Sequence, residues 1–397
     1  MKILSITAQK PHSTGSGVFL TELVRGFAKR NIRQAVVCGL MPGDAAAFPE
    51  DVEVYPVLFE TAKLSFPVVG MSDEMPYPST RYRDLNPKRI RQFDKAFVER
   101  VKQAVSELEP DIILCHHLYL LTAMVREALP EQKIFGICHG SDLRQIRKNP
   151  LERHFIRKQI GKLDGIFALH AVQREEIAEI FTYDKSRIRV TGIGYNDAVF
   201  YSSGCPVKKP PVQLIFAGKV TEKKGVMSLI RCLNLLDCVT DQLILKLAGG
   251  SGVREEYEAI RQLADRCKYP VVFLGSLTQT ELADQFNQSH IFILPSFYEG
   301  LPLVAVEAMA CGLQVVMTDL PGIQGWLSTA AKSNEVIYVD PPKMNDTDVP
   351  AEETLGAFEG RLAAAVVTAM KRTDCPAVDL QEISWDGVCK KIIRFIE

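Results

Sequence analysis

Residues 291–319 read IFILPSFYEGLPLVAVEAMACGLQVVMTD, and this stretch decides the fold. IFILPS has the composition of a buried strand, FYEGL of a turn, LVAVEAMA of a helix and QVVMTD of a second strand like the first. Apolar runs of about five residues joined by helices mark parallel strands covered on both faces. Pro302 suits the first helical position, where a missing N–H costs nothing, and Gly312 suits the left-handed cap that stops a helix. A helix starting there leaves Gly300, Leu301, Pro302 and Leu303 at the carboxyl end of a parallel strand. Open α/β sheets bind ligands at that end, and a helix N-terminus favours phosphate.

The same alternation runs outward in both directions. KILSIT, QAVVCGL, DIILCHH, KIFGICHG, GIFALH and RIRVTGIGY occupy the first half, and LIFAG, LILKLAGG and VVFLGS precede the opening stretch in the second. The chain therefore reads as α/β twice over, and its 397 residues suit two domains. YSSGCPVKKPP, residues 201–211, is rich in Pro, Gly and Ser and is the expected linker. This gives domains at 1–200 and 201–380, with a last amphipathic helix within 381–397 that must pack on something. Residues 64–87, with four prolines, are expected to be an excursion of loops, and residues 341–353 a polar surface loop.

Composition excludes several classes. A formal net charge of −1 gives no basis for a long nucleic-acid interface, so no nucleic-acid partner is expected. The ten cysteines are scattered without a C-x-x-C pair and read as reduced thiols. The N-terminus lacks a signal-like apolar core, and no apolar run approaches the roughly 20 residues of a membrane span. A cytoplasmic location is expected. Residues 143–163 carry seven basic residues and one Glu. They suit either a solvated helix face or an anionic partner, whether an acceptor phosphate or carboxylate or the inner face of a membrane touched peripherally.

The candidate chemistry lies after strands. Glu299 precedes the helix and Glu307 lies between one and two turns into it, flanked by Val306, Ala305, Ala308 and Met309. Carboxylates repel phosphate, so hydroxyls are their useful partners, and a diphosphate with a sugar at each end offers hydroxyls on both sides. A cap plus a surface glutamate is the plainer alternative. In FAGKVTEKKG, residues 216–225, Lys219 and Lys224 frame a tight loop and could neutralise a departing diphosphate, although exposed loop lysines are common. Gly15 and Gly17 follow the first strand and would let backbone N–H groups approach an anion, but Leu20 ends the G-x-G-x-x-G pattern. In ICHGSDL, His139 could bond a sugar hydroxyl or reacting phosphate, and Asp142 could orient an acceptor or cap a helix. Together with CHHLY, which carries His116, this also suggests a metal cluster. Alternate strand residues face opposite ways, so no metal site is expected. NDTD, residues 345–348, sits in the polar loop and reads as solvated surface.

Taken in order, G-x-G, DIILCHH, HGSD, FAGKVTEKKG, LAGGSG, FLGSL and PSFYEGLPLVAVEAMACG resemble the retaining glycosyltransferases of family 4. The resemblance spans nearly the full length. It implies the GT-B fold, with two Rossmann-like doubly wound domains facing a cleft, the first on the acceptor side and the second binding the nucleotide sugar. The last helix would cross back to the first domain. By the same resemblance Glu299 contacts the donor hexose, Glu307 the ribose, and Lys219 and Lys224 the diphosphate. Gly15 and Gly17 lie near the phosphates, Gly275 and Ser276 near the base, His139 near the transferred sugar, and Asp142 and His116 on the acceptor side. The family usually has arginine where this chain has Lys219, which replaces a bidentate clamp by a point charge.

The resemblance further implies transfer of a hexose or N-acetylhexosamine, UDP-linked, to a small-molecule, glycan or lipid-linked hydroxyl acceptor. The nucleotide sugar is a co-substrate, and no cofactor or metal is expected. A GT-B-like sugar-nucleotide epimerase and a nucleotide-binding member without turnover are the alternatives.

Overall fold

The computed structural model describes the chain apart from residues 73–74, 205–208, 238–241, 332–334, 347, 373–377 and 381–382. The elements are β1 (Lys2–Ile6), α1 (Gly15–Ala28), β2 (Arg33–Leu40), β3 (Glu53–Leu58), β4 (Val69–Gly70), β5 (Thr80–Arg81), α2 (Pro87–Leu108), β6 (Ile112–His116), α3 (Leu120–Ala128), β7 (Ile134–Ile137), α4 (Ser141–Lys148), α5 (Arg153–Ile160), β8 (Gly165–Ala168), α6 (Ala171–Phe181) and β9 (Ile188–Val190). They continue with β10 (Val212–Ala217), α7 (Val226–Leu233), β11 (Leu243–Ala248), α8 (Arg254–Asp265), β12 (Val271–Gly275), α9 (Gln279–Asn287), β13 (Ile291–Leu294), α10 (Leu303–Ala310), β14 (Gln314–Thr318), α11 (Ile323–Ala330), β15 (Ile337–Val339), β16 (Met344–Asp346), β17 (Val349–Pro350), α12 (Leu355–Lys371) and α13 (Trp385–Ile396).

Two compact units result: Met1–Gly194 with Trp385–Glu397, and Tyr195–Ser384. The first division falls ahead of the Pro-rich stretch, part of which lies outside the described residues. Tyr195 N donates to Ile383 O (3.1 Å), and Tyr195 bridges Ser384, so both passages of the chain are laid side by side within the second unit.

The first unit holds a parallel sheet in the order β3-β2-β1-β6-β7-β8-β9. Its strands are apolar and buried because helices cover them. α2 shows how such a cover is specified. The Asn86 side chain caps it by accepting from Arg89 N, Pro87 opens it, and Phe93, Phe97, Val101, Ala104 and Leu108 recur at helical spacing as its buried stripe. Residues 64–87 are less loose than the prolines suggest. Leu64, Phe66, Val68, Tyr82 and Leu85 are buried in the core, and β4 pairs with β5.

α13 packs on α1 in this same unit. The Trp385 ring meets Phe19 edge-on at 5.1 Å, Arg30 pairs with Asp386, and Lys133 Nζ donates to Ile396 O (2.7 Å).

The second unit holds a six-stranded parallel sheet in the order β12-β11-β10-β13-β14-β15. Residues 341–353 include an antiparallel hairpin, β16 with β17, rather than irregular loop alone. Among the described residues no helix is long and apolar enough to cross a membrane, and the described cysteines are free thiols.

The fit of α13 on α1 leaves no room at Gly26, where an added Cβ would stand 2.3 Å from Cys389 Sγ. Gly26→Ala should destabilise the protein by about 1–3 kcal/mol through overpacking. Adding Cys389→Ala should recover most of that loss in urea unfolding, whereas simple additivity of the two changes would contradict the packing.

Candidate functional site

In each sheet the strand order reverses once, between β1 and β6 and between β10 and β13. The segments leaving those neighbouring strands diverge, and the crevice at their carboxyl ends is where such sheets take ligands.

At the second reversal, Lys219 and Lys224 lie on the segment after β10, and Glu299 on the segment after β13. The two segments are tied together. Phe297 N donates to Lys223 O (3.1 Å), and Gly225 has φ +69°, with space for no Cβ because one would stand 2.0 Å from Pro295 O. This closeness brings Lys224 Nζ within 2.6 Å of Glu299 Oε1, which also accepts from Ser296 Oγ at 2.7 Å. Lys219 is half-buried on the same segment. A cation and a carboxylate that belong to separate motifs in sequence thus form one cluster.

α10 follows immediately. Pro302 is its cap residue rather than its first helical residue, and no side chain caps its first N–H groups. Gly300, Leu301, Pro302 and Leu303 form the approach to that N-terminus. The helix stops in a Schellman arrangement: Leu313 N donates to Ala308 O (3.1 Å) and Gly312 N to Met309 O (3.0 Å), with Gly312 at φ +83°. Glu307 lies in the fifth position and is 8% exposed, which excludes a solvated surface glutamate. It adjoins Cys311, whose thiol is pushed up to about 12 by burial and by the Glu307 carboxylate. Gly275 and Ser276 stand at the carboxyl end of the edge strand β12, where Gly275 O accepts from Gly249 N (2.7 Å).

Two residues carry contacts that their local sequence does not announce. Gly249 has φ +134°, and an added Cβ would stand 1.8 Å from Gly218 O, so it keeps the ends of β10 and β11 in close register. Its signal was the double glycine of LAGG. Asp348, read from NDTD as solvated surface, is 3% exposed, and its Oδ2 lies 3.3 Å from Lys223 Nζ. The hairpin holding it folds back onto the lysine loop, a long-range contact that local composition does not announce.

At the first reversal the expectations change more. Thr14 Oγ1 accepts from Gly17 N (3.1 Å), so the N–H expected to meet an anion already serves as the cap bond of α1. Gly15 is exposed, and a Cβ there would meet nothing within 4 Å. Asp142 is fully buried. It accepts from Leu118 N (2.8 Å) and His139 N (3.2 Å), and Cys138 Sγ donates to it at 3.4 Å. It therefore holds the turns after β6 and β7 together, and the expected role of orienting an acceptor directly is corrected. His116 is also buried, and its Nδ1 stands 3.1 Å from His139 Nε2. It orients His139 rather than facing solvent. Phe19 packs edge-on against His139 at 5.2 Å, and His117 stands 4.7 Å from it. Burial depresses His116 and His117 to about 3 and holds His139 well below the usual histidine range, so all three rings are neutral at pH 7.

Among the described residues no group of three or more His, Cys, Asp or Glu side chains is arranged to hold a metal ion. In the basic stretch, Arg144 reaches Ser72 Oγ (3.3 Å) and Arg147 pairs with Glu176 (3.4 Å), while Arg157, Lys158 and Lys162 are exposed.

Residues 13–198 match the family pattern described as Glycosyltransferase Family 4, and residues 211–345 match that described as Glycosyl transferases group 1. The chain belongs to this glycosyltransferase family. It is 25% identical to a D-inositol 3-phosphate glycosyltransferase of Streptomyces bingchenggensis over 81% of this chain and 74% of that one. It is 25% identical to the alpha-maltose-1-phosphate synthase of Mycolicibacterium smegmatis over 53% of this chain. The match spans only 54% of that synthase, so the chain covers about half the length of this curated relative. The solved structure of the Anabaena protein HepE, in complex with UDP and glucose, is similar with a TM-score of 0.65 at 14% identity, covering 99% of this chain and 98% of that one. The fold is GT-B, α/β with two parallel Rossmann-like sheets.

The neutral histidines set a pH dependence. Each has a folded pKa below its unfolded value of about 6.5, so the unfolded chain binds more protons and stability falls as pH drops from about 6.5 toward 3. Moving from pH 7 to pH 5 should cost on the order of 2 kcal/mol for each of His116 and His117. Urea unfolding followed at both values should show the drop, and His117→Gln should flatten it.

Proposed function

We propose that the protein transfers a hexose or N-acetylhexosamine from a nucleotide diphosphate sugar, with UDP as the nucleotide, to a hydroxyl acceptor. Transfer proceeds with retention and without a metal. The observation that carries this reading is the cluster of Lys224, Glu299 and Ser296 beside the uncapped N-terminus of α10, at the reversal of strand order in the second sheet. Family membership and the UDP bound by the similar Anabaena protein support it.

The roles follow from charge. Lys219 and Lys224, with the first N–H groups of α10, hold the diphosphate and take up the negative charge that grows on it. Glu299 accepts hydrogen bonds from hexose hydroxyls, and Glu307 from the ribose. Gly275 and Ser276 meet the base. The sugar C1–O bond to the diphosphate breaks, the C1–O bond to the acceptor forms on the same face, and the acceptor proton passes to the departing phosphate oxygen. His139, neutral and oriented by His116, gives the first unit a hydrogen-bonding group for the transferred sugar. The first unit serves the acceptor and the second the donor.

Thermal-shift measurements with UDP-, GDP- and ADP-sugars should show a rise with the UDP compounds. Glu299→Gln should lower turnover at least about 100-fold with an unchanged melting midpoint, and Lys224→Ala should weaken UDP binding about tenfold or more. Wild-type turnover surviving both changes would remove the site. The donor incubated alone distinguishes the chemistry, since appearance of a second sugar nucleotide would mean epimerisation.

A further inference from the structure

Glu299 spends one carboxylate oxygen on two donors. Its Oε1 accepts from Lys224 Nζ at 2.6 Å and from Ser296 Oγ at 2.7 Å, while Oε2 takes no hydrogen bond from a described residue. The Glu299 side chain is 14% exposed and that of Lys224 27%, so water screens the pair only in part. Ser296 is fully buried, and the backbone on both sides of it is held. Gly225 lies against Pro295 O, Phe297 N donates to Lys223 O, and the Phe297 ring packs on Phe358 at 5.7 Å. The Ser296 hydroxyl is therefore fixed to the same base as the lysine loop, and it keeps Glu299 where Lys224 reaches it.

The pair is closed on itself before any donor arrives. The diphosphate needs Lys224, and taking it strips Glu299 of its cation and leaves a poorly solvated carboxylate beside an anion. Ser296 softens this loss, because its hydrogen bond stays. A hexose on the diphosphate changes the balance, since its hydroxyls donate to the carboxylate that Lys224 leaves. Free nucleoside diphosphate brings no such donors. The carboxylate thus works against the product and with the substrate, and specificity is that difference of affinities.

We propose that Glu299 competes with the diphosphate for Lys224, and that Ser296 is the positioning residue for this competition, so that the site discriminates an intact nucleotide sugar from the free nucleoside diphosphate left after transfer. The inference rests on the glycosyltransferase reading and adds a release step to it. Once the hexose has left, Glu299 reclaims Lys224 and the hold on the diphosphate weakens.

Calorimetric titration of the full chain with UDP, and separately with UDP-glucose and UDP-N-acetylglucosamine, tests this. Glu299→Gln removes the competing charge and should tighten UDP about threefold or more, while the affinity of the better sugar nucleotide relative to UDP falls about tenfold. Ser296→Ala should weaken UDP about threefold in the wild-type background and leave it unchanged in the Glu299→Gln background. A general loss of negative charge would also tighten UDP, but it gives Ser296→Ala no effect that depends on Glu299. Unchanged melting midpoints verify the fold of the variants, and the Glu299→Gln titrations decide the matter if Ser296→Ala is unstable. If Glu299→Gln binds UDP no tighter than the wild type does, or Ser296→Ala has the same effect in both backgrounds, this inference fails and the donor site stands. If neither UDP nor either sugar nucleotide binds the wild type, the donor site fails and this inference with it.

Discussion

Everything at the candidate site depends on the reversal of strand order in a parallel sheet. When β11 and β12 build outward from one side of β10, and β13 to β15 from the other, the segments after β10 and β13 leave neighbouring strands in opposite directions. Their first residues are then adjacent in space though 75 positions apart in sequence, as Lys224 and Glu299 are. Backbone contact enforces this adjacency, through Phe297 N on Lys223 O and through the bare Cα of Gly225 beside Pro295 O. The side chains inherit their geometry from the sheet, so a short loop on a rigid base can hold a charged pair without a long framework of its own.

Periodicity and motif order made the α/β architecture and the lysine and glutamate positions legible. Apolar runs at strand length have few interpretations when helices separate them, and glycines and prolines at strand ends narrow the rest. What stayed hidden was who touches whom. Asp348 looked like solvent-facing loop because its neighbours are polar, yet the hairpin carries it onto Lys223. Asp142 looked available because an Asp after a strand so often is, yet the adjacent turn supplies it with backbone donors. Gly17 in its G-x-G suggests an anion site, yet Thr14 takes its N–H. Each miss has the same physical cause. Capping and ion pairing are competitions for a donor or acceptor, and the winner is set by the fold rather than by the residue.

The two units differ in the kind of polarity they place at strand ends. In the second, Lys219 and Lys224 supply positive charge on half-buried side chains, with Glu299 beside Lys224. In the first, burial keeps His116, His117 and His139 neutral, so they can orient and accept hydrogen bonds but bring no charge. In the proposed transfer, stabilisation of a departing diphosphate falls on the lysines and on the backbone at the start of α10. Lysine at position 219 sharpens the point: a point charge fixes no plane, so in that reading the geometry of the diphosphate comes from the N–H groups.

The neutrality of the histidines has a further consequence for how His139 works. With Nε2 at 3.1 Å from His116 Nδ1, one of the two nitrogens must carry a proton and the other accept it, and the choice fixes what His139 can offer through its second nitrogen. Phe19 holds the ring edge-on and Asp142 holds the backbone beneath it, so these two groups fix the orientation of His139. Since Phe19 also packs on Trp385 at the start of α13, the helix that ends the chain contributes to the placement of a side chain at the end of β7. That linkage gives a physical reason for α13 to pack on α1, because removing it would expose Phe19 and free the ring that steadies His139.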